Sequence, residues 1–139
     1  MRIYLYFAGK VRDRHAHAIA EEYVKRTGRF ASCEMREIDP RRLDLRAKHG
    51  SATKVLLDPN GRTLDSRTFA ELVRKSEDAG RDLVFAIGGA DGLPPGWREQ
   101  ADVLLSMSAM TWPHELARAM LAEQIYRAFT TLRGHPYPR

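Results

Sequence analysis

The sequence of 139 residues predicts an α/β fold built on an open, mainly parallel sheet with helices on both faces, and three observations carry that expectation. Short, continuous apolar runs such as Leu83-Val84-Phe85-Ala86-Ile87 and Val103-Leu104-Leu105 read as strands buried on both sides rather than alternating inside and out. Segments of helical period separate the apolar runs, so strand and helix alternate along the chain. Two of the runs open into small or polar residues, Gly88-Gly89-Ala90-Asp91-Gly92 and Ser106-Met107-Ser108-Ala109, at the strand ends where open α/β sheets bind ligands.

Residues 1–7 form the first strand. They are too few for the apolar core of a signal peptide, and no small-residue cleavage site follows. A helix is expected over 13–27, with Asp13 as N-cap, Ile19, Tyr23 and Val24 facing a core, and Gly28 as its stop. Residues 33–38 read as a second strand, ended by Asp39-Pro40. The basic stretch 41–50 is poorly amphipathic and is expected as a loop or short frayed helix, more a solvated charged segment than a phosphate contact. Residues 54–58 form a third strand closed by the turn Pro59-Asn60-Gly61. Asp65 or Ser66 caps a helix reaching about residue 79, with Phe69, Leu72 and Val73 as its apolar stripe and Gly80 as the stop. After the strand at 83–87 and the glycine loop, residues 94–101 read as a short helix and 103–106 as the last strand. Pro113 suits a first helical position, and Glu115 in the first turn complements the helix dipole. Along one side of this long helix lie Leu116, Met120, Leu121, Ile125, Phe129 and Leu132, with Met120 as a core filler and Glu123 and Arg127 paired on another face.

Composition sets the bounds. The length fits one domain over 1–139, and no run approaches the roughly 20 apolar residues that span a bilayer, so a cytoplasmic protein without membrane association is expected. Cys33 stands alone; it reads as a small core residue, with neither a disulfide nor a zinc site in prospect. A formal net charge of +5 and an isoelectric point near 9.7 favour an acidic partner such as nucleic acid. Familiar site motifs are missing. The glycine loop is not G-x-G-x-x-G, comes late in the chain, and lacks the Lys-Ser/Thr of a P-loop. Neither Ser106 nor Ser108 stands in G-x-S-x-G. What remains is a site of backbone groups, small side chains and a few apolar ones, suited to an uncharged aromatic, ribose-bearing ligand. His15 and His17, two apart on a helix, read as solvated, and His114 as structural.

Four motifs, Ile87-Gly-Gly-Ala-Asp-Gly-Leu93, Leu105-Ser-Met-Ser-Ala-Met-Thr-Trp-Pro-His114, Ala122-Glu-Gln-Ile-Tyr-Arg-Ala128 and Gly134-His-Pro-Tyr137, occur in order and at matching spacing, and closely resemble the C-terminal half of the RlmH family. These are SPOUT-class methyltransferases of large-subunit ribosomal RNA. The resemblance extends more loosely over the whole chain. It implies a trefoil knot, in which the last strand and helix thread a preceding loop, an arrangement that general topology rules would exclude. It also implies S-adenosylmethionine as methyl donor, no metal, and a homodimer with active sites near the subunit interface. Carried over by position, the cofactor contacts are Leu57, Gly88, Met107, Ser108, Ala109, Met110, Thr111 and Trp112. Without a Cβ, Gly88 would let a ligand come close to backbone, while loop N–H and C=O groups would read the adenine edge beside apolar surface from Met107, Met110 and Trp112.

The implied reaction methylates N3 of a pseudouridine in helix 69 of 23S rRNA, on the ribosome. The C-terminal tail would complete the pocket for the target base, nominating His135, Tyr137 and Arg139, with Arg118 and Arg127 as further contacts to RNA or the cofactor. Two departures stand out. The family tail commonly reads His-Pro-Tyr-His, and Pro138 holds the last of those positions here. The stretch between the second and third strands is also shorter than in familiar members, leaving the basic run Arg41 to Lys48 as a possible substitute contact. The alternative is a catalytically inactive RNA- or ribosome-binding homologue, against which the intact 107–112 loop argues.

Overall fold

A computed structural model of the protein describes residues 1–137; of the expected site residues, Arg139 lies outside them. Five strands, β1 (Arg2–Ala8), β2 (Ser32–Ile38), β3 (Thr53–Thr63), β4 (Leu83–Ile87) and β5 (Val103–Ser106), alternate with helices α1 (Arg14–Thr27), α2 (Leu45–His49), α3 (Ser66–Asp78) and α4 (His114–Leu132). A single 3-10 turn, Arg98–Gln100, stands between β4 and β5. All strand pairs are parallel, in the order β2-β1-β4-β3-β5. Steps one way across the sheet carry α1 and α3 on one face; steps the other way carry α2 and the 3-10 turn on the opposite face, as a single crossover handedness requires.

Every residue of β4 is buried, as a strand with neighbours on both sides and cover on both faces must be. On the side of α1, α3 and α4, Ile3, Leu5, Val55, Phe85 and Leu105 meet Phe69, Val73, Leu121, Ile125 and Phe129. On the other side Tyr6, Leu56, Val84 and Ala86 meet Leu45 of α2 and Trp97. The Tyr6 hydroxyl lies 2.7 Å from His49 Nε2, giving each buried polar group its partner. Burial pushes the His49 pKa below its ordinary value and that of Cys33 up to about 12, so Cys33 stays a thiol.

Two caps form as expected: Asp13 accepts from the amides of His15 and Ala16, and Asp65 from Thr68. Asp44, which the sequence reading did not single out, caps α2, the short helix in the basic stretch. Several details differ. Residues 94–101 hold only the 3-10 turn, and α4 starts at His114, with Pro113 as its N-cap. Ile19 is 48% exposed, because the buried stripe of α1 runs through Ala16, Ala20 and Thr27 and Ile19 lies about 80° round the helix from its centre. Leu116 and Met120 are 39% and 38% exposed, off the face of α4 that buries Leu121, Ile125 and Phe129; Met120 is not a core filler. His17 is half-buried and its Nδ1 lies 3.4 Å from the Arg118 guanidinium, so it is not a solvated residue.

β3 does not stop at Pro59. Leu57 pairs with Leu105, residues 58–61 leave the ladder, and Arg62 returns opposite the same Leu105. Pro59 has no N–H to give a ladder, while Asp58 Oδ1 accepts the amide of Asn60 at 2.9 Å, so the turn chemistry builds a bulge within a strand. A Cβ on Gly61 would stand 2.5 Å from the Leu104 carbonyl oxygen, which is why the chain can fold back there.

Candidate functional site

Three chain segments leave the C-terminal ends of adjacent strands and enclose one cleft. The bulge after Leu57 forms one wall, the glycine loop after Ile87 the second, and the stretch from Ser106 to the first turn of α4 the third. The cleft holds about 350 Å³, within the range of small-molecule sites. All eight positions expected to touch a cofactor line it: Leu57, Gly88, Met107, Ser108, Ala109, Met110, Thr111 and Trp112. Asp58, Pro59, His114 and Ala117 line it too, and sequence reasoning missed them. For Asp58 and Pro59 the available signal is adjacency to Leu57.

The loop after β5 is shaped by its own hydroxyls. Ser106 Oγ donates to the Ser108 carbonyl at 3.0 Å, and Ser108 Oγ accepts the amide of Met110 at 3.0 Å. Ala109, Thr111 and Trp112 make no backbone-to-backbone hydrogen bond with the described residues. Their main-chain groups are left to a ligand or to water, and the serine side chains are already engaged. Met110 is 73% and Trp112 41% exposed, apolar surface flanking those polar groups.

Gly88 also has a cause within the chain. A Cβ there would stand 2.1 Å from the Gly92 carbonyl oxygen, so the chain's own loop, closed by the Gly92 amide on the Gly89 carbonyl at 3.0 Å, demands a glycine. The buried carboxylate of Asp58 takes Arg98 Nε at 3.0 Å, tying the bulge to the segment that follows the glycine loop. Among the described residues no three His, Cys, Asp or Glu side chains gather as metal ligands would.

Glu115 does more than complement a dipole. Buried in the first turn of α4, it accepts the amides of Arg12 and Asp13 at 2.8 and 3.0 Å, and these bonds, the Arg12 amide foremost, hold its carboxyl below the ordinary range. Arg118 is 1% exposed, its guanidinium 3.7 Å from the Phe7 ring centroid and 3.6 Å from Glu115. It is a packed cation and cannot be the RNA contact the sequence suggested.

The tail lies at the other end of α4. Tyr137 donates its hydroxyl to Glu123, packs edge-on against Tyr126 at 4.8 Å between ring centroids, and lies under the Arg127 guanidinium. Arg127 in turn binds Glu123 at 2.6 Å. Burial first, and then the bond to Glu123, push the Tyr137 pKa above the ordinary phenol value; the residue is a neutral phenol near neutral pH. His135 is exposed, and its Nδ1 accepts the amide of Tyr137 at 3.2 Å. Tyr137 folds back over the middle of α4 onto Glu123, six residues or roughly 9 Å along the helix from the cleft residue Ala117. Neither His135 nor Tyr137 is among the residues that line the cleft.

Residues 1–138 match the family described as "Predicted SPOUT methyltransferase". The chain is 64% identical, over the full length of both proteins, to the ribosomal RNA large subunit methyltransferase H of Solibacter usitatus. Among solved structures it is similar to a methylase-family protein from Haemophilus influenzae (TM-score 0.66, 11% identity, 99% of this chain and 70% of that one). It is also similar to the SpoU methyltransferase AviRb from Streptomyces viridochromogenes in complex with AdoMet (TM-score 0.55, 14% identity, 94% of this chain and 58% of that one). Fold, motif order and full-length identity agree, and the chain belongs to the SPOUT methyltransferases, within the family of ribosomal RNA large subunit methyltransferase H.

Proposed function

We propose that this protein, a single domain, is an S-adenosylmethionine-dependent methyltransferase acting on large-subunit ribosomal RNA, and that its target is N3 of a pseudouridine in helix 69 of 23S rRNA within the ribosome. The observation that carries this reading is the convergence of all eight expected cofactor positions on one cleft of about 350 Å³ at the ends of β3, β4 and β5, in a chain 64% identical to a relative named for that class of reaction. The cleft fits the cofactor: the main-chain groups of Ala109, Thr111 and Trp112 have no backbone partners among the described residues and are flanked by the Met110 and Trp112 side chains. No helix among the described residues is long and apolar enough to cross a membrane, and the setting is the cytoplasm, where ribosomes are. Trefoil threading of the last strand and helix is part of the same reading.

S-adenosylmethionine supplies a methyl group already activated by a sulfonium. As the new C–N bond forms, the C–S bond breaks with its electron pair left on sulfur, and N3 gives up its proton. The protein therefore has two tasks, alignment and proton removal. The 107–112 loop fixes the donor; Tyr137, a neutral phenol, stacks on or hydrogen-bonds the target base; and His135, the exposed titratable side chain of the tail, takes the proton.

A second copy completes the site. Trp112, Leu116 and Met120, four residues apart in turn, leave an exposed apolar stripe along the start of α4. Two such helices crossed antiparallel about a two-fold axis would cover both stripes and bring each tail to the other copy's cleft.

Large ribosomal subunits from a strain lacking the modification, incubated with the protein and S-adenosylmethionine, should gain one methyl group in helix 69 by mass spectrometry. An unchanged mass there overturns the target. Absence of cofactor binding by calorimetry at millimolar concentration would leave the inactive RNA-binding homologue in its place.

A further inference from the structure

At the mouth of the cleft, between the glycine loop and the first turn of α4, runs the segment that joins β1 to α1. Its position is fixed twice. A Cβ on Gly89 would sit 3.5 Å from the Ala8 carbonyl oxygen, and Glu115, next to the cleft residue His114, holds the amides of Arg12 and Asp13. Two carboxylates of the region are turned onto backbone: Glu115 onto that loop, and Asp13 onto the amides of His15 and Ala16. Lys10, Arg12 and Arg14 are exposed, and none forms an ion pair with the described residues.

The other basic segment is built differently. Arg41 and Arg42 both reach Asp39, Arg41 at 3.0 Å, and Arg46 donates to the Glu99 carbonyl. Where the sequence shows two basic runs, the structure neutralises one in part and leaves the other free at the cleft.

We infer that Lys10, Arg12 and Arg14 form a phosphate clamp that seats the RNA backbone flanking the target nucleotide, with Glu115 setting its distance from the methyl-donor loop. The inference rests on the reading of the substrate as RNA. Arginine forks and a lysine on one exposed segment suit successive phosphates, whose contacts position a substrate without reading its sequence. Because Glu115 belongs to the same helix turn that closes the cleft, clamp and donor are held to one rigid element.

The test compares the wild type with K10A/R12A/R14A, with the charge-keeping R12K/R14K, and with R41A/R42A as a control of similar charge. Each binds a fluorescent hairpin of the helix 69 sequence across a salt series, and each is titrated with S-adenosylmethionine by calorimetry. The triple variant should lose about ten-fold or more in RNA affinity, and its log–log salt slope should fall by about 2, some 0.7 for each lost single-strand phosphate contact. Its cofactor affinity should stay at the wild-type value, which also reports an intact fold. R12K/R14K should keep most of the affinity, and R41A/R42A nearly all. Wild-type affinity and slope in the triple variant overturn the clamp, as does an equal loss in the R41A/R42A control. Failure of the wild type to methylate ribosomal subunits would instead count against the proposed reaction, since the RNA-binding comparison is read without turnover.

Discussion

At its N-terminal end α4 emerges from a loop whose main chain lacks internal partners between exposed Met110 and Trp112; at its C-terminal end it receives a tail pinned through Tyr137 to Glu123, Tyr126 and Arg127. The first end is backbone with few partners of its own, held in place by Glu115 from one side. The second is a closed network of side chains. Neither His135 nor Tyr137 lines the cleft, and on the proposed reading a second copy with its helix reversed brings the two ends together.

Breaking the tail end should have the largest effect. Tyr137→Ala is expected to abolish turnover while leaving cofactor affinity unchanged by calorimetry; a fully active variant would show that the two ends do not cooperate. Next, Leu116→Glu with Met120→Glu should convert a dimer to a monomer by light scattering and remove most activity, again with cofactor binding kept. A monomeric wild type would break the comparison at once, because the cleft would then have to work without a tail.

At the donor end, Gly88→Ala forces the loop to move away from the Gly92 carbonyl. A displacement of this kind should cost about ten- to a hundred-fold in cofactor affinity. The smallest effect belongs to the anchor. Glu115→Gln weakens two charge-assisted bonds and should lower stability by roughly 1–3 kcal/mol in denaturant titrations at neutral pH. Its folded pKa lies below the ordinary 4.5, so its contribution is complete above that value and is lost as pH falls through the lowered one. The wild type should therefore lose melting temperature more steeply than Glu115→Gln below about pH 4.5, and parallel profiles would remove the carboxylate from the anchor.

Much of this was legible in the sequence where local chemistry decides. Asp13 and Asp65 cap the helices expected of them, and the short apolar runs at 83–87 and 103–106 are strands because a strand buried on both faces needs no alternation. The cleft residues are legible through motif resemblance, but the sequence does not show that the chain's own Gly92 also demands a glycine at position 88. Leu116 and Met120 looked like core because a helical stripe does not say how wide its buried face is; α4 buries small Ala119, Ala122 and Ala128 there and leaves the larger pair outside. Arg118 and Glu115 could not be placed, since their partners, Phe7 and the Arg12–Asp13 amides, lie about a hundred residues away. The bulge in β3 was hidden for a related reason: a turn signal marks a departure from the ladder but not whether the chain returns.

That return has a consequence for how the protein can vary. Because Leu57 and Arg62 both register with Leu105, residues 58–61 carry no ladder pair, and the sheet is held on either side of them. A change within this excursion, between Asp58 tied to Arg98 and Gly61 packed on Leu104, would reshape a wall of the cleft while the ladder pairs on either side stay, so the shape of the pocket can vary apart from the framework that carries it.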